Sequence, residues 1–176
     1  MRILIIATER SGGFQLTKWI SWEMGYKLIH EPIITPQSVE GENIVVKYLI
    51  TEIIDRNDID LTSWDKIIGL IRMDTYEMAI SQTVAQELKE WHNSYKISDE
   101  WIYNNSKLIN ESQKNAKSNI DYLKAIEEIK ILVSYESIYD TKEDIQRIKD
   151  YIGIKNTKYE YLLNNKNRLR KKNKLI

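Results

Sequence analysis

Compact apolar runs alternate along this chain with stretches of helical periodicity. Arg2 to Thr8 (RILIIAT) is a continuous, largely β-branched run that ends in polar residues and two glycines, the pattern of a strand buried on both faces. Beyond Gly12-Gly13, Leu16, Trp19, Ile20 and Met24 recur at helical spacing within Phe14 to Met24, and Gly25 stands where a C-cap belongs. Lys27 to Glu31 (KLIHE) reads as a short strand halted by Pro32, Ile33 to Glu42 as loop, and Asn43 to Ile50 (NIVVKYLI) as a third strand. Asp65 to Ile71 (DKIIGLI) predicts a fourth strand, followed at once by a helix from Thr75 to about Trp91. Asn93 to Ser106 has no clear period and reads as a loop or lid. Lys107 to Glu128 is a long, mostly polar helical stretch, and Lys130 to Tyr135 (KILVSY) a strand. Thr141 to Ile152 is a helix with Thr141 as N-cap and Gly153 just past its end.

Strands that alternate with helices form βαβ units, so the expected fold is α/β: a three-layer, mainly parallel sheet flanked by helices, built as one domain over residues 1–176. Ligands of such sheets bind at the carboxyl ends of the strands. The rule selects Thr8 to Gln15, His30-Glu31, Arg72 to Asp74, and Glu136.

Composition narrows the chemistry. The chain has no Cys, which excludes disulfides, iron–sulfur centres and thiolate zinc sites, and only two His, so no metal is expected. No apolar run approaches the roughly 20 residues of a membrane span, and the N-terminal run lacks a cleavage site, so a cytoplasmic protein is expected. Its 26 Lys/Arg and 26 Asp/Glu cancel, but unevenly. Lys155 to Ile176 holds eight Lys/Arg against one acidic residue, an excess of seven positive charges, which leaves the first 154 residues with seven negative ones. The basic segment, 164–176 above all, is suited to phosphate or nucleic acid.

Two stretches carry candidate chemistry. Ala7 to Leu16 (ATERSGGFQL) is a glycine turn feeding a helix N-terminus, where exposed N–H groups and the helix dipole favour an anion and Arg10 adds a charged clamp. The Walker A pattern is not met, since no Lys-Thr follows Gly13, which disfavours a kinase or NTPase. In Ile71 to Ser81 (IRMDTYEMAIS), Arg72 leaves a strand end and Ser81 lies within the next helix, so both can converge on a phosphate. The plainer alternative pairs Arg72 with Asp74 or Glu77.

Together these stretches resemble the sulfotransferase family, which has a P-loop NTPase-like fold and takes 3′-phosphoadenosine 5′-phosphosulfate (PAPS) as sulfuryl donor. T-E-R-S-G-G resembles the family's 5′-phosphosulfate loop. G-Y-K-L-I-H-E-P is similar to the second strand of bacterial members, and Arg72 to Ser81 with Ala85, Gln86 and Trp91 to the 3′-phosphate pattern of the trehalose and glycolipid branch. S-Y-E-S-I-Y-D-T is similar to the late strand–helix pair, and N-R-L-R-K-K to the late basic segment. Three positions depart from the pattern: Gly13 and Phe14 stand where many members carry hydroxyl residues, and Met73 where the second motif carries its Arg.

The resemblance implies a small sulfotransferase acting on a hydroxyl of a carbohydrate, lipid or small metabolite. In this expectation Arg10 contacts the sulfuryl and bridging oxygens, assisted by the backbone of Ser11, Gly12, Gly13 and Phe14, with Gln15 as a partial substitute for the missing hydroxyls. Arg72 and Ser81 hold the 3′-phosphate, and Arg170 and Lys171 close over it. Successive strand residues face opposite sides, so only one of His30 and Glu31 points at the loop; the resemblance to the glycolipid branch implies a carboxylate, which makes Glu31 the general base, with His30 second. Glu136 is expected to be structural. The alternatives are a catalytically degenerate relative that binds a nucleotide or partner protein, and a nucleic-acid-binding domain working through the basic tail. The last is disfavoured by the acidic body and the lack of a nucleic-acid motif.

Overall fold

The computed structural model describes residues 1–32, 39–56, 59–89 and 97–163. Five strands form one sheet: β1 (Arg2–Ala7), β2 (Lys27–His30), β3 (Ile44–Leu49), β4 (Lys66–Ile71) and β5 (Ile131–Ser134). Their order is β2-β3-β1-β4-β5 and every pairing is parallel. Seven α-helices are described: α1 (Gly13–Met24), α2 (Ile50–Asp55), α3 (Thr75–Leu88), α4 (Asp99–Asn104), α5 (Ser106–Lys124), α6 (Tyr135–Tyr139) and α7 (Glu143–Ile152).

Strand alternation decides which helix covers which face. Ile3, Ile5 and Ala7 of β1 pack with Leu16, Trp19 and Ile20 of α1 and with Ile145, Ile148 and Ile152 of α7. Leu4 and Ile6 point the other way, into a core shared with Ile50 and Ile53 of α2 and Ile120 and Leu123 of α5. The result is the expected three-layer α/β architecture with a parallel sheet buried on both faces. A smaller apolar cluster joins Ala79, Ile80 and Val84 of α3 to Ile109 of α5, with Trp101 and Ile102 of α4 against it.

Four elements differ from the sequence expectation. Strand β3 passes directly into α2, whose first turn is capped by Glu52, its carboxylate accepting from the Leu49 N–H at 2.5 Å. In the same way β5 runs into α6, with Ser134 and Ser137 capping each other. The segment read as a loop or lid contains α4, started by the Ser98 hydroxyl accepting from the Trp101 N–H at 3.1 Å. Helix α7 begins after Lys142 in a left-handed conformation (φ 68°), not at a Thr141 cap.

The path of the chain fixes the site. From β1 it travels out to β2, returns to β3, and crosses β1 to reach β4, so the neighbours of β1 lie on opposite branches of the topology. Ala7 is in register with Leu49 on one side and Leu70 on the other, so three strands end together. This is the switch-point crevice in which α/β sheets hold ligands.

Candidate functional site

The turn after β1 is built from left-handed residues. Arg10 (φ 56°) and Gly12 (φ 81°) both adopt this conformation, and Gly12 is the N-cap of α1 without any side-chain cap. Only glycine takes it at no steric cost, and for Arg10 it is a strained backbone held by its surroundings. The turn is pinned from inside by the Ser11 hydroxyl, which donates to the Thr8 carbonyl at 2.6 Å. From outside, the Tyr139 hydroxyl donates to the Gly12 carbonyl at 2.8 Å. Among the described residues the N–H groups of Ser11, Gly12, Gly13 and Phe14 donate to no protein acceptor, while those of Gln15 and Leu16 return to the Gly12 carbonyl. Four consecutive free N–H groups at a helix start form an anion cradle. Ser11 therefore contributes its backbone, its hydroxyl being used within the turn, and Gln15 lies just past the cradle.

Arg10 and Ser81, 71 positions apart in sequence, are in contact: Arg10 Nε donates to Ser81 Oγ at 2.9 Å. Ser81, expected to share a phosphate with Arg72, is thus joined directly to Arg10. The Arg72 guanidinium lies 5.0 Å from the centre of the Tyr135 ring, and its Nε is buried without a hydrogen-bond partner. It makes no ion pair with Asp74 or Glu77, since the Asp74 carboxylate caps α3 through the Glu77 N–H at 2.9 Å. Glu136 accepts from the N–H groups of Met73 and Asp74 at 3.1 and 3.2 Å. It holds the turn after β4, the structural role expected of it.

The residue that sequence reasoning missed is Lys47, inside the apolar run of β3. It is 5% exposed, and its ammonium forms an ion pair with Glu31. Its side chain runs beneath the turn after β1: a Cβ added to Gly13 would lie 2.8 Å from Lys47 Cε and 3.0 Å from Ala7 Cβ. A side chain at position 13 would therefore crowd the buried Lys47 stem and Ala7. The signal was a single Lys among β-branched residues of a strand that has no solvent face, where a charge must have a partner.

The alternation argument for His30 and Glu31 fails. Strand β2 ends at His30, and Glu31 takes a left-handed backbone (φ 46°), which turns its carboxylate toward Lys47. His30 Nε2 lies 3.4 Å from Glu31 Oε1, and its ring meets Phe14 edge-on at 4.8 Å between centroids. Both residues thus face the loop. Phe14 is 42% exposed, so this aromatic lip borders solvent beside the cradle.

Burial raises the Glu52 carboxyl above the usual glutamate range, and the charges of Glu31 and Glu9 add to the effect. Among the described residues no group of three or more His, Asp or Glu side chains is placed to hold a metal ion, and no helix is long and apolar enough to cross a membrane. Arg170, Lys171 and the rest of 164–176 lie outside the described residues, as do Trp91 and His92.

Compared with known proteins, the chain matches no family model and no curated protein.

Proposed function

We propose that the protein is a small sulfotransferase that moves a sulfuryl group from PAPS to a hydroxyl acceptor. The observation that carries this reading is the meeting of Arg10, Ser81 and the free N–H groups of Ser11 to Phe14 at the carboxyl end of the central strand. Arg10 and Ser81 come from the two stretches that the family resemblance assigns to the two ends of one donor nucleotide. Arg72 adds a second guanidinium on the neighbouring strand end, its buried Nε still offering a donor.

In this reading the acceptor oxygen attacks sulfur while the bond from sulfur to the oxygen of the 5′-phosphate breaks. The leaving bisphosphate keeps the electron pair, and the acceptor proton passes to Glu31. Positive charge is required where the leaving phosphate gains negative charge, and Arg10 with the cradle N–H groups supplies it. Lys47 holds the Glu31 carboxylate in place.

Isothermal titration with adenosine 3′,5′-bisphosphate tests the donor site. Micromolar binding that is lost in Arg10→Ala supports it, and no binding by the wild type overturns it. A second reading, a nucleotide-binding relative without turnover, is favoured by Phe14 in place of a hydroxyl residue and by the inward commitment of the Ser11 hydroxyl. Tight bisphosphate binding with no sulfuryl transfer to a broad acceptor panel would select it.

A further inference from the structure

On the other face of the sheet, at the same carboxyl edge, α3, α5 and the start of α2 border a half-open cavity of about 170 Å³. At ~30 Å³ per water molecule this is room for a small polar metabolite. Its walls are rich in neutral hydrogen-bonding groups, among them Thr51, Gln82, Gln86, Asn115 and Asn119, over a floor of Met78, Ala79 and Ala116. Among the described residues no Lys, Arg or His lines it, and its single ionisable group is Glu9. The Glu9 carboxylate is oriented by two neutral donors, Thr51 Oγ1 at 3.0 Å and Asn119 Nδ2 at 3.3 Å, and no described cation lies within 4 Å of it. A second acceptor, Gln82 Oε1, is buried with no partner.

Each feature selects for ligand charge in the same direction. An anion would meet a carboxylate with nothing to neutralise it, so the cavity is no extension of the phosphate cradle. The acceptors left over are a charged carboxylate, whose oxygens each retain a lone pair, and an orphaned amide oxygen. A ligand rich in donors and carrying positive charge satisfies both. We infer that this cavity binds a small hydroxylated amine, of amino-sugar or amino-alcohol type, with its ammonium on Glu9 and a hydroxyl or amine proton on Gln82. Because Glu9 and Arg10 are consecutive, the ligand lies next to the anion loop. The inference rests on the sulfuryl-transfer reading only in making this ligand the acceptor, whereas the binding claim stands apart from it.

The test is nucleotide-free calorimetry of the full chain with three matched probes, D-glucosamine, D-glucose and glucose 6-phosphate, at a pH where the amine is protonated. Glucosamine is expected to bind at least tenfold more tightly than glucose, and glucose 6-phosphate to bind no better than glucose. Equal affinity for the first two, tightest binding of the phosphate, or no glucosamine binding up to 10 mM, on the order of the weakest specific affinities, overturns the assignment. Glu9→Gln removes the preference for the amine. Gln86→Lys, on the exposed rim and remote from the packed core, places a cation at the cavity and weakens glucosamine selectively without affecting the fold. Unchanged glucosamine affinity in a folded Gln86→Lys protein also counts against the site. Failure of bisphosphate to bind, with glucosamine binding intact, removes the acceptor role and leaves the cavity assignment standing.

Discussion

The two sides of the sheet's carboxyl edge differ in how they handle charge. On one side, the turn after β1 offers four free N–H groups with Arg10 in the turn and Lys47 packed against Gly13, and Arg72 stands at the neighbouring strand end. On the α5 side, amides and hydroxyls surround Glu9, and among the described residues no cation lines the space. The two regions are separated by a single peptide step, from Glu9 to Arg10. The difference teaches how one turn can border two regions of opposite electrostatic character. Arg10 has a left-handed backbone, and the consecutive side chains take different partners, Glu9 bonding to Thr51 and Asn119 and Arg10 to Ser81.

The largest expected effect comes from removing the cation that supports the turn after β1. Lys47→Met leaves the Glu31 carboxylate in a mostly buried position without its partner, and losing one member of such a pair costs about 3–5 kcal/mol. Urea denaturation should show this loss, and the double variant Lys47→Met/Glu31→Gln should recover most of it. A single-variant loss below about 1 kcal/mol would mean that the pair behaves as a solvated one, and the two sides would then be less distinct than they look.

Gly13→Ala comes next. The new methyl meets both Lys47 Cε and Ala7 Cβ inside van der Waals contact, and overpacking of this kind costs about 1–3 kcal/mol. Because the strain falls on the cradle, bisphosphate affinity should drop along with the midpoint of unfolding, while binding of glucosamine in the Glu9 cavity stays unchanged. A variant that lost both together would show that the two regions are mechanically one.

Arg72→Ala separates affinity from stability. The guanidinium contributes a ring contact and one buried unpartnered Nε, so its loss should shift unfolding by no more than about 1 kcal/mol. Bisphosphate binding should weaken about tenfold or more, as expected when a charge-assisted hydrogen bond of ~1.5–3 kcal/mol is lost. Titration calorimetry and thermal unfolding on the same preparation measure both.

The comparison also shows which features the sequence made legible. The strands were, because a parallel sheet covered on both faces needs unbroken apolar runs, and Ile3 to Ala7 and Ile67 to Ile71 are such runs. Helices α2 and α6 were not, because each follows its strand without a loop and is capped from three residues inside, α2 by the Glu52 carboxylate on the Leu49 N–H and α6 by Ser134 and Ser137. Helix α4 has six residues, too few for a period to emerge. Within the site, the carboxyl-edge rule pointed to Arg10 and Arg72, and Ser81 was singled out from the helix that follows Arg72. The contact between Arg10 and Ser81 depends on how α3 leans over the turn, which no local pattern encodes. Glu31 and His30 escaped the alternation rule because one left-handed residue cancels it. The neutral cavity escaped altogether: Asn and Gln on a polar helix read as solvated until a second helix covers them.

The smallest expected effect concerns protons, and it sets the neutral side against the rest of the molecule. Glu52 caps α2 beneath Thr51 and is held above the usual glutamate range, first by burial and then by the negative charges of Glu31 and Glu9. Its folded form therefore keeps a proton that the unfolded chain releases, so its contribution to stability is fully present below the usual glutamate value and declines as pH rises through the window above it. Glu160 runs opposite: the hydrogen bond from Lys149 holds it low, so its contribution is present above the usual value and is lost as pH falls. In Glu52→Gln the side-chain carbonyl can still accept from the Leu49 N–H, and the titration disappears. Thermal unfolding of that variant between pH 4 and 8, roughly the span in which carboxyls and His titrate, should show a shallower decline on the alkaline side and an unchanged loss on the acid side. If the alkaline slope persists in Glu52→Gln, the negative potential at this end of the sheet does not come from Glu52, and Glu9 becomes the group to neutralise next.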